Sequence, residues 1–315
     1  MGRYIDALKR MNRAFDDILL EYGWRSKLRL YADAFFSRII YGVTPNEYLG
    51  FKFYKKSKFE KRRFYTARHT NKMEKHFNSP QNADVFWKKQ LFNERFSEYV
   101  TRGWIFVPDV SKDEFDDFVS KHSKIIIKPQ DLSSGRGIQI YGGQSYEDLK
   151  KSNCLIEQFI DQHHEMSLLN ESSVNSVRVY TVLDSKGEPH ILSISIRVGA
   201  ADSCVDNYHS GGVAYPVDIQ SGMIYMPGKN IAGRPYIFHP GTNKKMIGFE
   251  IPNFKKMLEF VLKASLELPN SRLIAWDIAV LEDGFELIEG NYMGDPGLMQ
   301  STAEIGKLKE LKKYY

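Results

Sequence analysis

The residues best suited to chemistry in this chain lie in SRLIAWDIAVLEDGFELIEGN, residues 271–291. Two apolar runs flank Asp283-Gly284, a strong hairpin signal, and Asp277, Glu289 and Asn291 interrupt them with oxygen-bearing side chains. Glu289 and Asn291 stand two apart on one strand and therefore share a face. A carboxylate, carboxylate and amide set suits Mg2+, which takes one or two carboxylates and leaves its other positions to water and substrate phosphates. Register decides whether the set can form. A two-residue turn at Asp283-Gly284 pairs Asp277 with Gly290 and turns Glu289 to the opposite face, whereas a three-residue loop of Glu282, Asp283 and a left-handed Gly284 pairs Asp277 with Glu289. The metal reading requires the second arrangement. The competing reading is that the buried carboxylates pair with arginines, because three polar side chains on one buried face are costly without compensation.

A second group lies upstream. Lys128 ends an apolar run, KIIIKP, and stands just ahead of Ser133, Ser134, Gly135, Arg136 and Gly137. A lysine there is a point charge suited to phosphate, and loop amides can cradle phosphoryl oxygens where glycines permit close approach. The loop is neither a Walker A sequence nor a Rossmann fingerprint. Alone it could be a plain hairpin connection, and its weight comes from the acidic hairpin downstream. Between the two groups, parity puts Ser176, Arg178 and Tyr180 on one face of a strand over 175–183. Leu192, Ile194, Ile196 and Val198 then share the core face of a strand over 190–198, with Ser193, Ser195 and Arg197 on the other. A hairpin of these strands brings Arg178 and Arg197 together, an arrangement that wants an anion between them. His163 and His164, and Asp206 and His209 in the loop 205–212, are further candidates for acceptor contact, although paired loop histidines usually face solvent.

The elements that must position these residues follow from the rest of the chain. Residues 1–78 read as a basic helical extension, with Leu8, Met11, Phe15, Ile18 and Leu19 at helical spacing. Its run FKFYKKSKFEKRRF, from Phe51 to Phe64, interleaves aromatics with lysines and arginines. It is either a surface for a polyanion or an anionic membrane, or a solvated face whose aromatics pack inward. Residues 79–315 read as α+β, with a strand–glycine loop–strand–helix–strand unit over about 110–159 and the paired longer strands over about 160–300. With 42% hydrophobic residues among 315, the chain can bury a substantial core, and a net charge of +5 favours anionic ligands without implying nucleic acid. Two cysteines, Cys154 and Cys204, without CxxC spacing argue against a disulfide framework or structural zinc. No apolar run approaches a membrane span, and a cytoplasmic setting fits, with peripheral contact at the inner face of a membrane left open to the basic helices.

In combination, KP followed by SSGRG, then LIEQF, a strand Asp and a terminal ExN ahead of EGNYMGDPG resemble the ATP-grasp superfamily. The run QHHEMSLLNESSVNSVRVYT, then SIRVG, VDNYHSGG and PVDIQSG, resembles its sugar-transfer-associated branch, found with capsule and exopolysaccharide assembly. The resemblance covers about residues 80–300. It implies an ATP-grasp fold, two α+β lobes holding ATP between them, with Mg2+ on Asp277, Glu289 and Asn291. By the same resemblance Lys128 contacts the phosphates, Ser133–Gly137 form the flap over them, and Glu157 and Gln158 meet adenine largely through backbone groups. Lys89 is the lysine of the preceding lobe, with Lys88 as the adjoining alternative, and Glu165 is the candidate ribose carboxylate. Arg178 and Arg197 would stabilise a transferring phosphoryl group or an acylphosphate. The activity implied is ligation of an amine to a carboxylate on a sugar acid or polysaccharide precursor, with ADP and phosphate as products. The alternatives are a kinase acting on a hydroxyl and a nucleotide-binding component of an assembly complex that does not turn ATP over.

Overall fold

The structure, a computed structural model, describes residues 2–22, 26–132, 135–199, 212–231 and 233–315. A helical region of about 100 residues precedes two antiparallel sheets, an α+β arrangement. The smaller sheet has the order β1-β4-β2-β3, from β1 (Trp104–Phe106), β2 (Ile125–Pro129), β3 (Gln139–Ile140) and β4 (Cys154–Gln158). The larger has the order β11-β10-β5-β6-β7-β8-β9. It is built from β5 (Val177–Leu183), β6 (Pro189–Val198), β7 (Val213–Val217), β8 (Gly228–Lys229), β9 (Pro235–Tyr236), β10 (Leu273–Leu281) and β11 (Gly284–Tyr292).

One face of the large sheet is the main core. Val177 and Val179 of β5, Ile194, Ile196 and Val198 of β6, Ile274, Trp276 and Ile278 of β10 and Leu287 of β11 pack there. Against them lie Met257, Val261 and Ala264 of the helix Phe254–Ser265, together with Phe92 and Phe96. Every second residue of these strands must therefore face the other way, and that other face carries Arg178, Arg197 and Asp277.

Two departures from strict alternation decide what reaches it. The β10–β11 turn matches neither register foreseen from sequence: Leu281 pairs with Gly284, so the two-residue loop is Glu282-Asp283, one position earlier than Asp283-Gly284, and Gly284 is not left-handed. Uninterrupted, that register would set Asp277 opposite Ile288. The pairing instead shifts by one residue, Ile278 lying opposite Leu287 but Asp277 opposite Glu289, with Ile288 as the extra residue of a β-bulge. The expected Asp277–Glu289 pair thus forms by a different route. A second bulge, where Tyr180 pairs with Ser193 and Thr181 with Ile191, sends Leu192 to the face opposite Ile194, correcting the expectation that it shares the core face. Gly290, between Glu289 and Asn291, has no alternative: a Cβ there would come within 2.8 Å of Phe92 and 2.9 Å of Phe86.

The helical region carries its own core, in which Met11, Phe15 and Ile18 of α1 (Gly2–Tyr22) and Leu30 of α2 (Lys27–Tyr41) meet Tyr48 and Leu49 of α3 (Pro45–Gly50). Phe51, Phe53 and Phe64 are also buried there, so the aromatics of the basic run pack inward and only Phe59 is largely exposed. No helix among the described residues is long and apolar enough to cross a membrane.

Candidate active site

A cavity of about 990 Å3 opens between the two sheets, within reach of a nucleotide-sized ligand. Lys89, Lys128, Gly135, Glu157, Gln158, Arg178, Arg197, Asp277, Glu289 and Asn291 all line it. Residues expected in one site from positions 202 apart in the chain therefore meet, the acidic hairpin forming one wall and β2 with its loop another.

On the acidic wall, Arg178 donates through Nε and Nη2 to Asp277, and Arg197 Nη2 donates to Asp277 Oδ2 at 2.8 Å. The anion that the paired arginines require is the carboxylate of Asp277. Burial acts to raise its pKa, but the two guanidiniums outweigh it and hold the group below the usual range. Glu289 is different. Burial first, then the neighbouring Asp277 charge, push its pKa up, and the two carboxyls are in hydrogen-bond contact. Asn291 Nδ2 donates to Glu289 Oε1 at 3.3 Å and to Ala275 O at 3.4 Å. A carboxylate offers about four lone-pair directions, of which the arginines take three on Asp277. A divalent cation fits the donor set, because it would relieve the crowding of Glu289 against Asp277 that burial makes costly. The arginine pairing weighed as the alternative is therefore present too, on Asp277, beside the set that suits Mg2+.

On the opposite wall, Lys128 pairs with Glu157, which is buried, accepts from Asn93 Nδ2 at 2.9 Å and pairs with Arg102 at 2.9 Å. Both cations overcome the effect of burial and hold Glu157 well below the usual carboxylate range. Its side chain is thus committed to an ion network. Gln158 Oε1 accepts from Gly103 N at 3.3 Å. Lys89 Nζ donates to Pro129 O at 2.8 Å, Gln130 O at 3.3 Å and Leu132 O at 3.0 Å, the carbonyls leading into the glycine loop. Burial lowers its pKa. Lys88 also borders the cavity but is paired with Asp84 at 2.9 Å, and its side chain is half exposed. Gly135 and Gly137 are left-handed at φ 69° and 72°, and a Cβ on Gly137 would lie 2.9 Å from Leu132 Cδ1, so only glycine suits.

Several expectations fall elsewhere. Ser133 and Ser134 lie outside the described residues, as do Asp206 and His209. Arg136 is exposed and does not line the cavity. Glu165 is exposed beside His164 at 3.4 Å and does not reach the cavity, because the short helix His164–Ser167 turns it outward. His163 and His164 stack on each other at the β10–β11 turn, where His164 Nδ1 meets Glu282 at 2.9 Å, rather than at the cavity.

Two residues were missed. Arg102 is buried and joins the walls: it donates to Glu286 Oε1 and Leu287 O of β11 at 2.7 and 2.8 Å while pairing with Glu157 of β4. Nothing in TRGW, where it sits, signals a buried cation. Asp295 follows EGNYMG and lines both the main cavity and a smaller one of about 240 Å3 bordered by Thr44, Glu47 and Ser301. Its proximity to the ExN run was the available signal.

Two lobes with a cavity walled by lysines on one side and carboxylates on the other define an ATP-grasp protein. The family model described as sugar-transfer associated ATP-grasp matches residues 148–313, just over half of the chain, and the protein belongs to that family. Similar solved structures include biotin carboxylase from Campylobacter jejuni in a β-γ-ATP complex, 10% identical, covering 78% of this chain and 51% of that one, with a TM-score of 0.50. Others are the ATP-grasp ligase PsnB with a phosphomimetic precursor variant, Mg and ADP (13% identical, 75% and 60% covered, TM-score 0.47) and N5-carboxyaminoimidazole ribonucleotide synthetase from Thermotoga maritima (10%, 73% and 52%, TM-score 0.42). At these identities the likeness is one of fold. The chain spans about three-fifths of the PsnB structure. None of the curated proteins matches the sequence.

Proposed function

We propose that this protein is an ATP- and Mg2+-dependent ligase that activates a carboxylate as an acylphosphate and joins it to an amine, with a carboxylated sugar or polysaccharide precursor as the substrate class. The observation that carries this reading is the bulge at Ile288, which turns Glu289 out of the apolar core to stand beside Asp277 and Asn291 on a cavity wall facing Lys89 and Lys128. Membership of the sugar-transfer associated family supports the substrate class.

When bound, Mg2+ would supply charge neutralisation at the phosphates. Glu289 and Asn291 would hold it, with Asp277 as the third oxygen donor. Arg178 and Arg197 fix the Asp277 carboxylate through three hydrogen bonds and keep it ionised. They also place two positive charges at the wall where a phosphoryl group would develop negative charge, a preorganised form of electrostatic stabilisation. Lys128 and Lys89 face them from the other side. Lys128 is balanced by Glu157 and Lys89 by three carbonyls, so a triphosphate would take over donors that are already positioned. The glycines of the loop allow its amides to approach closely.

Purified protein given ATP, Mg2+, sugar-acid acceptors and amines should release ADP and phosphate and form an amide. Release of AMP and pyrophosphate would overturn the acylphosphate scheme, and a stable phosphate ester formed without amine would make the protein a kinase.

A further inference from the structure

The helix α2 is apolar on the side that faces away from the protein. Leu30, Ala34 and Ser37 are buried against the helical core, but Leu28, Tyr31, Phe35, Phe36, Ile39 and Ile40 are exposed, Leu28 by 78% and Phe35 by 61%. At 3.6 residues per turn these six positions span about half of the helix circumference as one stripe. An apolar stripe of this size marks a docking surface.

Its surroundings are basic. Arg29 lies within the stripe and Arg38 on its edge, both exposed. Lys61 is anchored to α2 through Asp33 at 2.8 Å and Ser37 at 3.1 Å, which sets the exposed Arg62 and Arg63 beside the helix. Arg68 Nη1 donates to Ile40 O, placing another exposed guanidinium at its C-terminal end. The asymmetry extends over the region: residues 1–78 hold 18 Lys and Arg against 8 Asp and Glu, whereas the rest of the chain holds 26 against 31.

We propose that α2 seats this protein on the surface of an anionic phospholipid bilayer, its Phe and Ile side chains entering the acyl boundary and the surrounding arginines meeting lipid phosphates. A second copy of the chain is a poor occupant, because it would bring two strongly positive regions together. The stripe also offers few side-chain hydrogen-bonding groups, as suits a hydrocarbon boundary better than a shaped polar surface. The basic aromatic run singled out from sequence contributes charge to this surface but buries most of its aromatics. The membrane-facing apolar groups are those of α2, for which composition gave no warning.

Co-sedimentation with vesicles tests the proposal, using phosphatidylcholine alone and phosphatidylcholine mixed with phosphatidylglycerol. The full chain should pellet with the mixed vesicles, stay in solution with phosphatidylcholine, and lose binding as salt is raised. The variant Phe35→Ser/Ile39→Ser should weaken partitioning by about tenfold or more, and Arg29→Glu/Arg63→Glu by a similar factor. These side chains are exposed, so the thermal melt checks that the fold is retained. Wild-type protein that ignores both vesicle types, or variants that pellet as wild type does, would overturn the proposal. So would a wild-type dimer that Phe35→Ser/Ile39→Ser converts to monomer, since the stripe would then be covered by a second copy.

Discussion

At the scale of single residues, Asp277 and Glu289 are neighbours with opposite electrostatic fates. Two guanidiniums compensate Asp277, whereas Glu289 has its amide contact with Asn291 and a like charge beside it. Replacing each should therefore have a different signature. Glu289→Gln removes a proposed metal ligand and an electrostatic conflict together, so turnover should fall by about 100-fold or more while the melting temperature holds or rises. A lowered melting temperature with normal turnover would remove Glu289 from the mechanism. Arg178→Met leaves Asp277 buried with one partner fewer and should cost on the order of 3–5 kcal/mol of stability, read by urea unfolding. Lys128 and Glu157 repeat the pattern on the other wall, where a ligand would compete for a lysine that already has a counterion.

At the scale of elements, the site depends on how one extra residue, Ile288, is accommodated in the β10–β11 ladder. Deleting Ile288 would restore strict alternation with Glu289 directly after Leu287, which leaves it opposite Asp277 and on the cavity face. Metal-dependent turnover should therefore survive the deletion, and Ile288→Val should be nearly silent in both turnover and melting temperature; loss of turnover in the deletion variant would mean that the pairing of Asp277 with Glu289 is not what the site requires. This residue also marks the limit of what the sequence disclosed. The identities of Asp277, Glu289 and Asn291, their common hairpin and the lysine loop were legible, because polar intruders in apolar strands and a turn dipeptide are local signals. The bulge was not, since nothing local distinguishes Ile288 from its neighbours, and neither was Arg102, whose partners lie 55 and 184 positions away. The short helix α3 is a further test at this scale. Glu47 closes its capping box onto Thr44 N at 2.7 Å, yet burial first, with Asp295 nearby, pushes its pKa up to about 7. A carboxyl whose folded pKa is raised binds more protons folded than unfolded, so its contribution is full below about 4.5 and declines as pH rises to about 7. Stability should fall over that window by an amount on the order of 3 kcal/mol, and Glu47→Gln, which keeps a capping acceptor, should flatten the profile in pH-dependent unfolding.

At the scale of the whole molecule, the helical region is bound to the rest through buried polar ties. Glu304 pairs with Lys52 at 2.9 Å and with Lys229 at 2.7 Å, and Gln300 Oε1 accepts from Tyr65 N at 2.8 Å. Glu304→Gln would leave the Lys229 ammonium buried without its counterion and should destabilise by about 3–5 kcal/mol, detected as a lowered denaturation midpoint. Docking of α1–α3 to the body is thereby tied to the C-terminal segment that follows β11. Gly290 has a comparable reach. It is the spacer between two oxygen donors, and the rings of Phe86 and Phe92 that close over it bracket Lys89 in the chain. A single methyl group at this point would act as a wedge, shifting the Glu289–Asn291 wall and Lys89 in one movement, so the two sides of the proposed phosphate site cannot be retuned separately.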